Sequence, residues 1–253
     1  MTVRAITVDL WGTLLLDPPS SDNRYKARRL RDFENILGGA GLRVNGAALD
    51  RAYEASAVHL SRIWAKHRDV PVADHVRAIL AGVDGKLPTR LPADVLAALA
   101  DAYARPALLV PPTADPGALK ALSALREEGY TLAIVSNTMR TPGTTLRKLL
   151  EQLGLLRCFA HTVFSDEVGV RKPDPAIFLG ALRAIGAEAA TAIHVGDDGL
   201  LDVGGARAAG MRVIQVTTAS LKSLGGRRPD AVIPSLTALP DAVARLGTSP
   251  PGS

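Results

Sequence analysis

The spacing of apolar positions changes along the chain and predicts two kinds of structure. Residues 3–8 form a short apolar run with β-branched Ile6 and Val8, which predicts a buried strand. In residues 18–111 the apolar positions recur at three- and four-residue steps, which predicts amphipathic helices without a strand. Four helices are expected there, at residues 22–37, 47–67, 72–80 and 93–103.

After Pro116 short apolar runs alternate regularly with amphipathic segments. Strands are predicted at residues 130–135, 162–164, 192–195, 213–216 and 231–233, with a helix between most neighbours. Such alternation favours an α/β fold with a mainly parallel sheet covered by helices on both faces. We therefore expect a core made of residues 1–17 and 112–247, a helical insertion at 18–111, and a flexible Pro/Gly/Ser-rich tail at 248–253.

Composition narrows the class of protein. A chain of 253 residues with 47% hydrophobic and 22% charged residues is expected to fold around a packed core. The net charge of +5 favours binding of small anions over nucleic acid, because no run interleaves aromatic and basic residues. Cys158 is the only cysteine, which excludes an intrachain disulfide and a cysteine-based metal site. No signal peptide or membrane span is evident, so we expect a cytoplasmic protein without a membrane partner.

Polar residues that could take part in catalysis or metal binding follow the predicted strands. Each has an ordinary interpretation on its own, since Asp9 can cap a turn and Lys172 can be a solvated loop charge. In a parallel sheet, however, the carboxyl ends of all strands lie at one edge, where ligands bind. The candidates at that edge are Asp9, Ser136, Asn137, Lys172, Asp197 and Asp198.

These residue types suit attack on phosphorus. A carboxylate such as Asp9 approaches a phosphate monoester only when cations offset the repulsion between the two. Mg²⁺ prefers oxygen ligands, which Asp9 and Asp197 would supply from neighbouring strands. Lys172 would keep Asp9 ionised and meet the charge of the substrate.

The segment Asp9-Leu10-Trp11-Gly12-Thr13-Leu14, followed by the other candidates in this order, resembles the motifs of the haloacid dehalogenase superfamily over about residues 2–215. The resemblance implies a Rossmann-like core with a helical cap inserted after the first motif. It further implies that Asp9 is the nucleophile of a hydrolase that forms an aspartyl-phosphate intermediate. The resemblance implies that Asp9, Asp197 and the Trp11 carbonyl bind Mg²⁺, with Asp198 or Asp202 assisting. It also implies that Ser136, Asn137 and Lys172 bind the transferring group.

Trp11 departs from the family pattern. The phosphatases of this family carry a second aspartate at this position, which protonates the leaving group, and an indole cannot do so. Since general acid–base help is worth ~10²–10⁴ in rate, the replacement must change the reaction or the substrate. We expect a leaving group that needs no proton, a donor from elsewhere, or a catalytically weak protein.

Three functions are compatible with this departure. The 2-haloacid dehalogenases of the family carry an aromatic residue at this position and work without metal. An unneutralised Asp197 near Asp9 would, however, repel an anionic haloacid by ~4 kcal/mol at ~4 Å and an effective dielectric constant of ~20. We therefore favour a Mg²⁺-dependent phosphatase acting on a small phosphorylated metabolite, with the dehalogenase and a weak phospho-ligand-binding protein as alternatives.

Substrate contacts are expected from the inserted helices. Arg24 and Arg28 lie on one side of the first helix, close to the Asp9 loop, where they are candidates for binding a substrate anion together with Trp11.

Overall fold

The computed structural model describes residues 3–16, 21–217 and 228–248. Six of its strands form one parallel sheet in the order β5-β4-β1-β6-β7-β8, and β2 and β3 form an antiparallel pair. The strand bounds are β1 Ala5–Val8, β2 Leu15–Leu16, β3 Thr113–Ala114, β4 Thr131–Ser136, β5 His161–Phe164, β6 Ala192–Gly196, β7 Arg212–Val216 and β8 Ala231–Ile233.

The first strand occupies the centre of the sheet. β1 pairs in parallel with β4 on one side and with β6 on the other. The strand order therefore reverses at β1, which is where α/β proteins bind their ligands. Each strand predicted from the sequence is present within one or two residues, and the α/β fold is confirmed.

Helices cover both faces of this sheet. One face packs against α7, α8 and α12 in a cluster with Ile6, Val8 and Ile134, and the other packs against α10 and α11 with Val135 and Val213. The bounds after the insertion are α7 Ala118–Glu127, α8 Gly143–Gln152, α9 Ser165–Val168, α10 Pro175–Ala184, a π-helical turn Gly199–Gly204, α11 Gly205–Ala208 and α12 Leu239–Thr248.

Helices without a sheet fill the chain between β2 and β3. They are α1 Ser21–Gly39, α2 Gly46–Trp64, α3 Val72–Val83, α4 Leu87–Arg90, α5 Ala93–Ala104 and α6 Pro106–Leu109. Their buried side chains, including Phe33, Ile79 and Tyr103, form a hydrophobic cluster separate from those of the sheet. Because β2 pairs with β3, the chain leaves and re-enters the sheet region at one place.

Several details differ from the sequence prediction. The short α4, α6, β2 and β3 were not predicted, since two to four residues are too few for a periodic pattern. The helix expected after β6 begins as the π-helical turn. The predicted boundary after residue 17 and nearly all of the tail at 248–253 lie outside the described residues. Among the described helices, none has the length and apolarity required to cross a bilayer. The cytoplasmic location stays a prediction.

Candidate active site

Asp9 and Lys172 form the centre of the site. Asp9 directly follows β1, and Lys172 lies in the loop before α10, whose start is fixed by the Asp174 side chain accepting from the backbone N–H of Ala176 at 2.9 Å. Lys172 Nζ lies 2.5 Å from Asp9 Oδ1, and both side chains are buried. The predicted nucleophile and the predicted cation, 163 residues apart in the chain, are therefore in direct contact.

Asp202 holds the other side of Lys172. Its Oδ1 accepts from Lys172 Nζ at 2.6 Å and lies 3.1 Å from His194 Nε2, while His194 Nδ1 lies 2.8 Å from Thr7 Oγ1. A Cβ at Gly196, the end of β6, would overlap the Asp202 carboxyl group. The glycine therefore lets this carboxylate approach the sheet edge.

Asp197 completes a cluster of three carboxylates. Ligand atoms of Asp9, Asp197 and Asp202 all lie within 4.8 Å of one another, and all three residues are buried. Gly12, at φ +82°, turns the Trp11 loop so closely over Asp197 that a Cβ there would lie 2.5 Å from Asp197 Oδ2. A side chain at position 12 would therefore displace the Asp197 carboxylate.

The charged groups in this cluster shift one another's pKa values. Burial raises the pKa of Asp9 to about 7 against the effect of Lys172. Burial alone would also raise the pKa of Asp202, but Lys172 and His194 hold it below its usual range. Burial opposes the charge on Lys172, yet the Asp202 and Asp9 carboxylates raise its pKa above the ordinary value. The ammonium is therefore charged at neutral pH.

The two polar residues at the end of β4 have different contacts. The Asn137 side chain binds the backbone of Lys172 twice, with Oδ1 accepting from its N–H at 2.8 Å and Nδ2 donating to its carbonyl at 3.0 Å. Asn137 thus positions Lys172, which sequence analysis had not anticipated. Ser136 is fully buried at the strand end, with its Oγ 3.4 Å from the Asn137 carbonyl.

Asp198, which was a candidate together with Asp202 for assisting the metal, does not belong to the acidic cluster of Asp9, Asp197 and Asp202. Its Oδ1 accepts from the backbone N–H groups of Leu200 and Leu201, both at 2.8 Å, and so caps the π-helical turn. These two hydrogen bonds engage the Asp198 side chain as the N-cap of the turn. Asp202, rather than Asp198, provides the third acid.

Trp11 faces a cavity beside the site. The cavity has a volume of about 600 Å³ and lies between the Asp9 loop, the inserted helices and the loop after β4. Its lining includes Trp11, Tyr25, Arg29, Tyr53, Trp64 and Arg140. The expectation that Trp11 contacts substrate is compatible with this position.

The arginines expected at the cavity are not those found there. Arg24 is exposed, and Arg28 binds Asp32 through its Nε at 3.0 and 3.1 Å, and neither lines the cavity. Arg29 does so instead. The helical spacing of Arg29 could have indicated this position, because Arg29 lies four residues from both Tyr25 and Phe33 on the buried side of α1.

A second buried ion pair joins the inserted helices to the sheet region. Asp69, between α2 and α3, accepts from Arg171 Nη1 and from Ser165 Oγ, both at 2.5 Å, while Trp64 Nε1 donates to its other oxygen at 2.9 Å. Thr138 Oγ1 adds a contact at 3.2 Å. Asp69 was not predicted from the sequence, since a single aspartate between helices resembles an ordinary loop residue.

The chain matches a family model described as haloacid dehalogenase-like hydrolase over residues 3–210. The chain belongs to this family of hydrolases. Its assignment to the haloacid dehalogenase superfamily is therefore confirmed.

Curated relatives of this hydrolase include phosphatases. It is 39% identical over 142 residues to mouse haloacid dehalogenase-like hydrolase domain-containing protein 3, a match that covers 54% of each chain. It is also 41% identical over 99 residues to a phosphoglycolate phosphatase of Rhodospirillum rubrum, covering 39% of each chain. These matches span about half or less of the relatives' length.

Solved structures of a dehalogenase and of a phosphatase both resemble this hydrolase. The 2-haloacid dehalogenase from Pseudomonas syringae pv. tomato is 27% identical with a TM-score of 0.70, covering 96% of this chain and 99% of that one. A phosphatase of the same superfamily from Thermococcus onnurineus has a TM-score of 0.59 at 24% identity, covering 95% and 98%, a likeness of fold alone.

Proposed function

We propose that this hydrolase is a Mg²⁺-dependent phosphatase that acts on a small phosphorylated compound through an aspartyl-phosphate intermediate. The observation that supports it most is the buried cluster of Asp9, Asp197 and Asp202 around Lys172. Phosphatases among the curated relatives support the same reaction class.

The donor set of the cluster fits magnesium. It offers carboxylate oxygens only, and Mg²⁺ is usually bound by one or two carboxylates together with substrate oxygens. We assign the ion to Asp9 and Asp197 with the Trp11 carbonyl, and Asp202 to a supporting position. When bound there, magnesium supplies positive charge that reduces repulsion between carboxylate and phosphoryl oxygens.

The residues of the chain would carry the reaction as follows. One oxygen of Asp9 attacks phosphorus, the bond from phosphorus to the leaving oxygen breaks, and that oxygen departs with the electron pair. Lys172 and Ser136 hold the phosphoryl oxygens, and Asn137 keeps Lys172 in place. Water then cleaves the aspartyl phosphate and returns the Asp9 carboxylate and phosphate.

The inserted helices would act as a cap at residues 18–111 that encloses the substrate in the cavity. Trp11 would line this space where proton transfer to the leaving group is expected. Because the indole N–H is a very weak acid, a substrate whose leaving oxygen departs without a proton, such as an aryl or acyl phosphate, is favoured.

The first test measures phosphate release from 4-nitrophenyl phosphate with MgCl₂ and with EDTA. We expect release with magnesium only, and its loss in Asp9→Asn, which keeps the size of the side chain but removes the attacking carboxylate. Arg31→Met, a change at an exposed position of α1, serves as the control and should match wild type. Ligand-dependent thermal stabilisation without turnover of any phosphate ester would favour the phospho-ligand-binding alternative.

A second test restores an acid at position 11. In Trp11→Asp we expect the rate on alkyl phosphates to rise at least ~10-fold relative to that on 4-nitrophenyl phosphate, because only the alkoxide needs a proton. An unchanged ratio would contradict the role assigned to Trp11.

A metal-independent 2-haloacid dehalogenase is the second candidate. The aromatic Trp11 and the TM-score of 0.70 with the Pseudomonas dehalogenase favour it. Halide release from 2-chloropropionate in the presence of EDTA, without phosphate release under any condition, would establish this alternative.

A further inference from the structure

Two arginines line the cavity without an acidic partner. Arg29 is 3% exposed, and Arg140 is half-buried in the loop after β4. Neither guanidinium lies within 4.0 Å of a carboxylate of the described residues. A buried guanidinium without a counterion is unfavourable, so its presence calls for an explanation.

Neutral groups hold these arginines in place. Arg29 donates to the carbonyls of Tyr103 and Arg140 at 2.7 and 3.1 Å and to the Tyr53 hydroxyl at 3.1 Å. Arg140 Nη1 donates to Ser56 Oγ at 3.2 Å and to Tyr103 Oη at 2.7 Å. Within residues 3–16, 21–217 and 228–248, these contacts fix the two positive charges, and no carboxylate pairs with either of them.

Aromatic rings provide the remaining support. The Arg140 guanidinium lies 4.2 Å from the Tyr53 ring centroid, and that of Arg29 lies 4.7 Å from the Tyr103 ring. A purely structural role explains Arg29, whose three nitrogens are all engaged. It does not explain Arg140, whose Nε and Nη2 donate to no described residue although the side chain faces the cavity.

The other charges around the cavity do not compensate for them. Glu54 is engaged by Lys26, which also binds Asp50 at 2.8 Å. Asp22 is exposed in the first turn of α1, where the helix dipole favours an acid. The wall formed by Arg29 and Arg140 therefore stays positive.

This wall is continuous with the reaction centre along the chain. Trp11 follows Asp9 by two residues, and Arg140 follows Asn137 by three, so both loops that start at the sheet edge also line the cavity. We propose that Arg140, positioned by Arg29 and the Tyr53 ring, binds a second anionic group of the substrate, a carboxylate or a phosphate, while its reacting phosphoryl group lies at Asp9. This proposal deepens the proposed phosphatase function and rests on it.

Calorimetric titration with non-hydrolysable ligands tests the proposal independently of turnover. The ligands are phenylphosphonate, its 3- and 4-carboxy derivatives, and benzene-1,4-diphosphonate, each titrated in the presence of MgCl₂. We expect a ligand with a second anion to bind wild type about tenfold or more tightly than phenylphosphonate, as for hydrogen bonds between charged groups. Preference for a carboxylate or for a second phosphonate then identifies the group.

Arg140→Met provides the decisive variant because it removes the charged guanidinium and retains an unbranched apolar side chain. It should abolish the preference, whereas Arg140→Lys should retain part of it and Arg31→Met all of it. Equal binding of all ligands by wild type, or a preference that persists in Arg140→Met, would overturn the proposal. An Arg140-dependent preference without magnesium-dependent phosphate release from any ester would reject the phosphatase and keep the anion site.

Discussion

Buried positive charge has different partners in the acidic cluster at the sheet edge and in the cavity among the inserted helices. At the sheet edge, Lys172 lies within 2.6 Å of the carboxylates of both Asp9 and Asp202. In the cavity, the contacts of Arg29 and Arg140 with the described part of the chain are to carbonyls, hydroxyls and rings only. Under the function proposed above, the charges at the sheet edge are in place before a ligand binds, whereas an anionic group of the ligand would pair with the arginines of the cavity wall.

Removal of Lys172 is the largest change that this comparison predicts. In Lys172→Met, two buried carboxylates lose their ammonium, and loss of one partner of a buried pair typically destabilises a protein by ~3–5 kcal/mol. Urea denaturation should show this loss, and phosphate release should disappear. Lys148→Met, at an exposed position of α8, should change stability by less than ~0.5 kcal/mol.

A second substitution distinguishes lost charge balance from lost packing. Lys172→Met combined with Asp202→Asn removes one of the two unpaired acids and should recover part of the stability without recovering activity. If the double variant is less stable than Lys172→Met, the ammonium of Lys172 does not stabilise the protein by offsetting the charges of Asp9 and Asp202.

Asp69→Asn tests whether the inserted helices are held to the sheet region by charge. The side chains of Asp69 and Arg171 are 0% and 6% exposed, so the variant leaves a buried guanidinium and should lower the free energy of unfolding by ~3 kcal/mol. The matched control is Asp74→Asn, whose pair with Arg77 is exposed and should contribute less than ~1 kcal/mol. Equal effects of the two variants would refute the buried contact.

His75 makes the stability of the inserted helices sensitive to acid. Burial lowers the pKa of His75 to about 4, below its ordinary value of 6.5. Since the unfolded chain binds the proton more readily, this contribution is complete above pH 6.5 and is lost as the pH falls toward 4, by up to ~3 kcal/mol. Denaturation of His75→Gln between pH 7 and 4 should show a correspondingly smaller slope than wild type.

The exposed His59 of α2 provides the control for this slope. His59→Gln should follow wild type across the same range. A slope that His75→Gln leaves unchanged would show that other groups account for the acid sensitivity.

Asp198→Asn has the smallest expected effect and separates a capping role from metal binding. Asparagine caps a helix about as well as aspartate, so stability should change by less than ~0.5 kcal/mol. The magnesium concentration required for phosphate release should stay the same, whereas it should rise markedly in Asp197→Asn. A large rise in Asp198→Asn would return this residue to the metal site.

The fold was predictable because the central strands of the sheet, β1, β4 and β6, are buried apolar runs with clear ends. β4 and β6 are buried throughout or nearly so, and parallel strands of that kind are recognised from composition alone. The pair of two-residue strands, β2 and β3, and the π-helical turn were not predictable, since their geometry depends on contacts distant in sequence.

The site was predictable as far as strand ends determine it. Asp9, Asp197 and Lys172 meet as parallel-sheet geometry requires. The sequence did not show which two of Asp197, Asp198 and Asp202 join Asp9 in the acidic cluster. That choice depends on the π-helical turn, whose first N–H groups bind the Asp198 side chain. Arg29 was missed because the side of α1 that carries Arg24 and Arg28 was expected to face the substrate, whereas the side that carries Tyr25 and Arg29 is the buried one.

The contact of Asp69 with Arg171 has one further consequence. Arg171 immediately precedes Lys172. The same short loop therefore provides both the arginine that binds Asp69 and the lysine beside Asp9. Movement of these helices away from the sheet must first release Arg171 from Asp69. Breaking this contact would therefore remove the counterion of the residue next to Lys172, so a change in the position of the inserted helices would also change the electrostatic environment of Asp9.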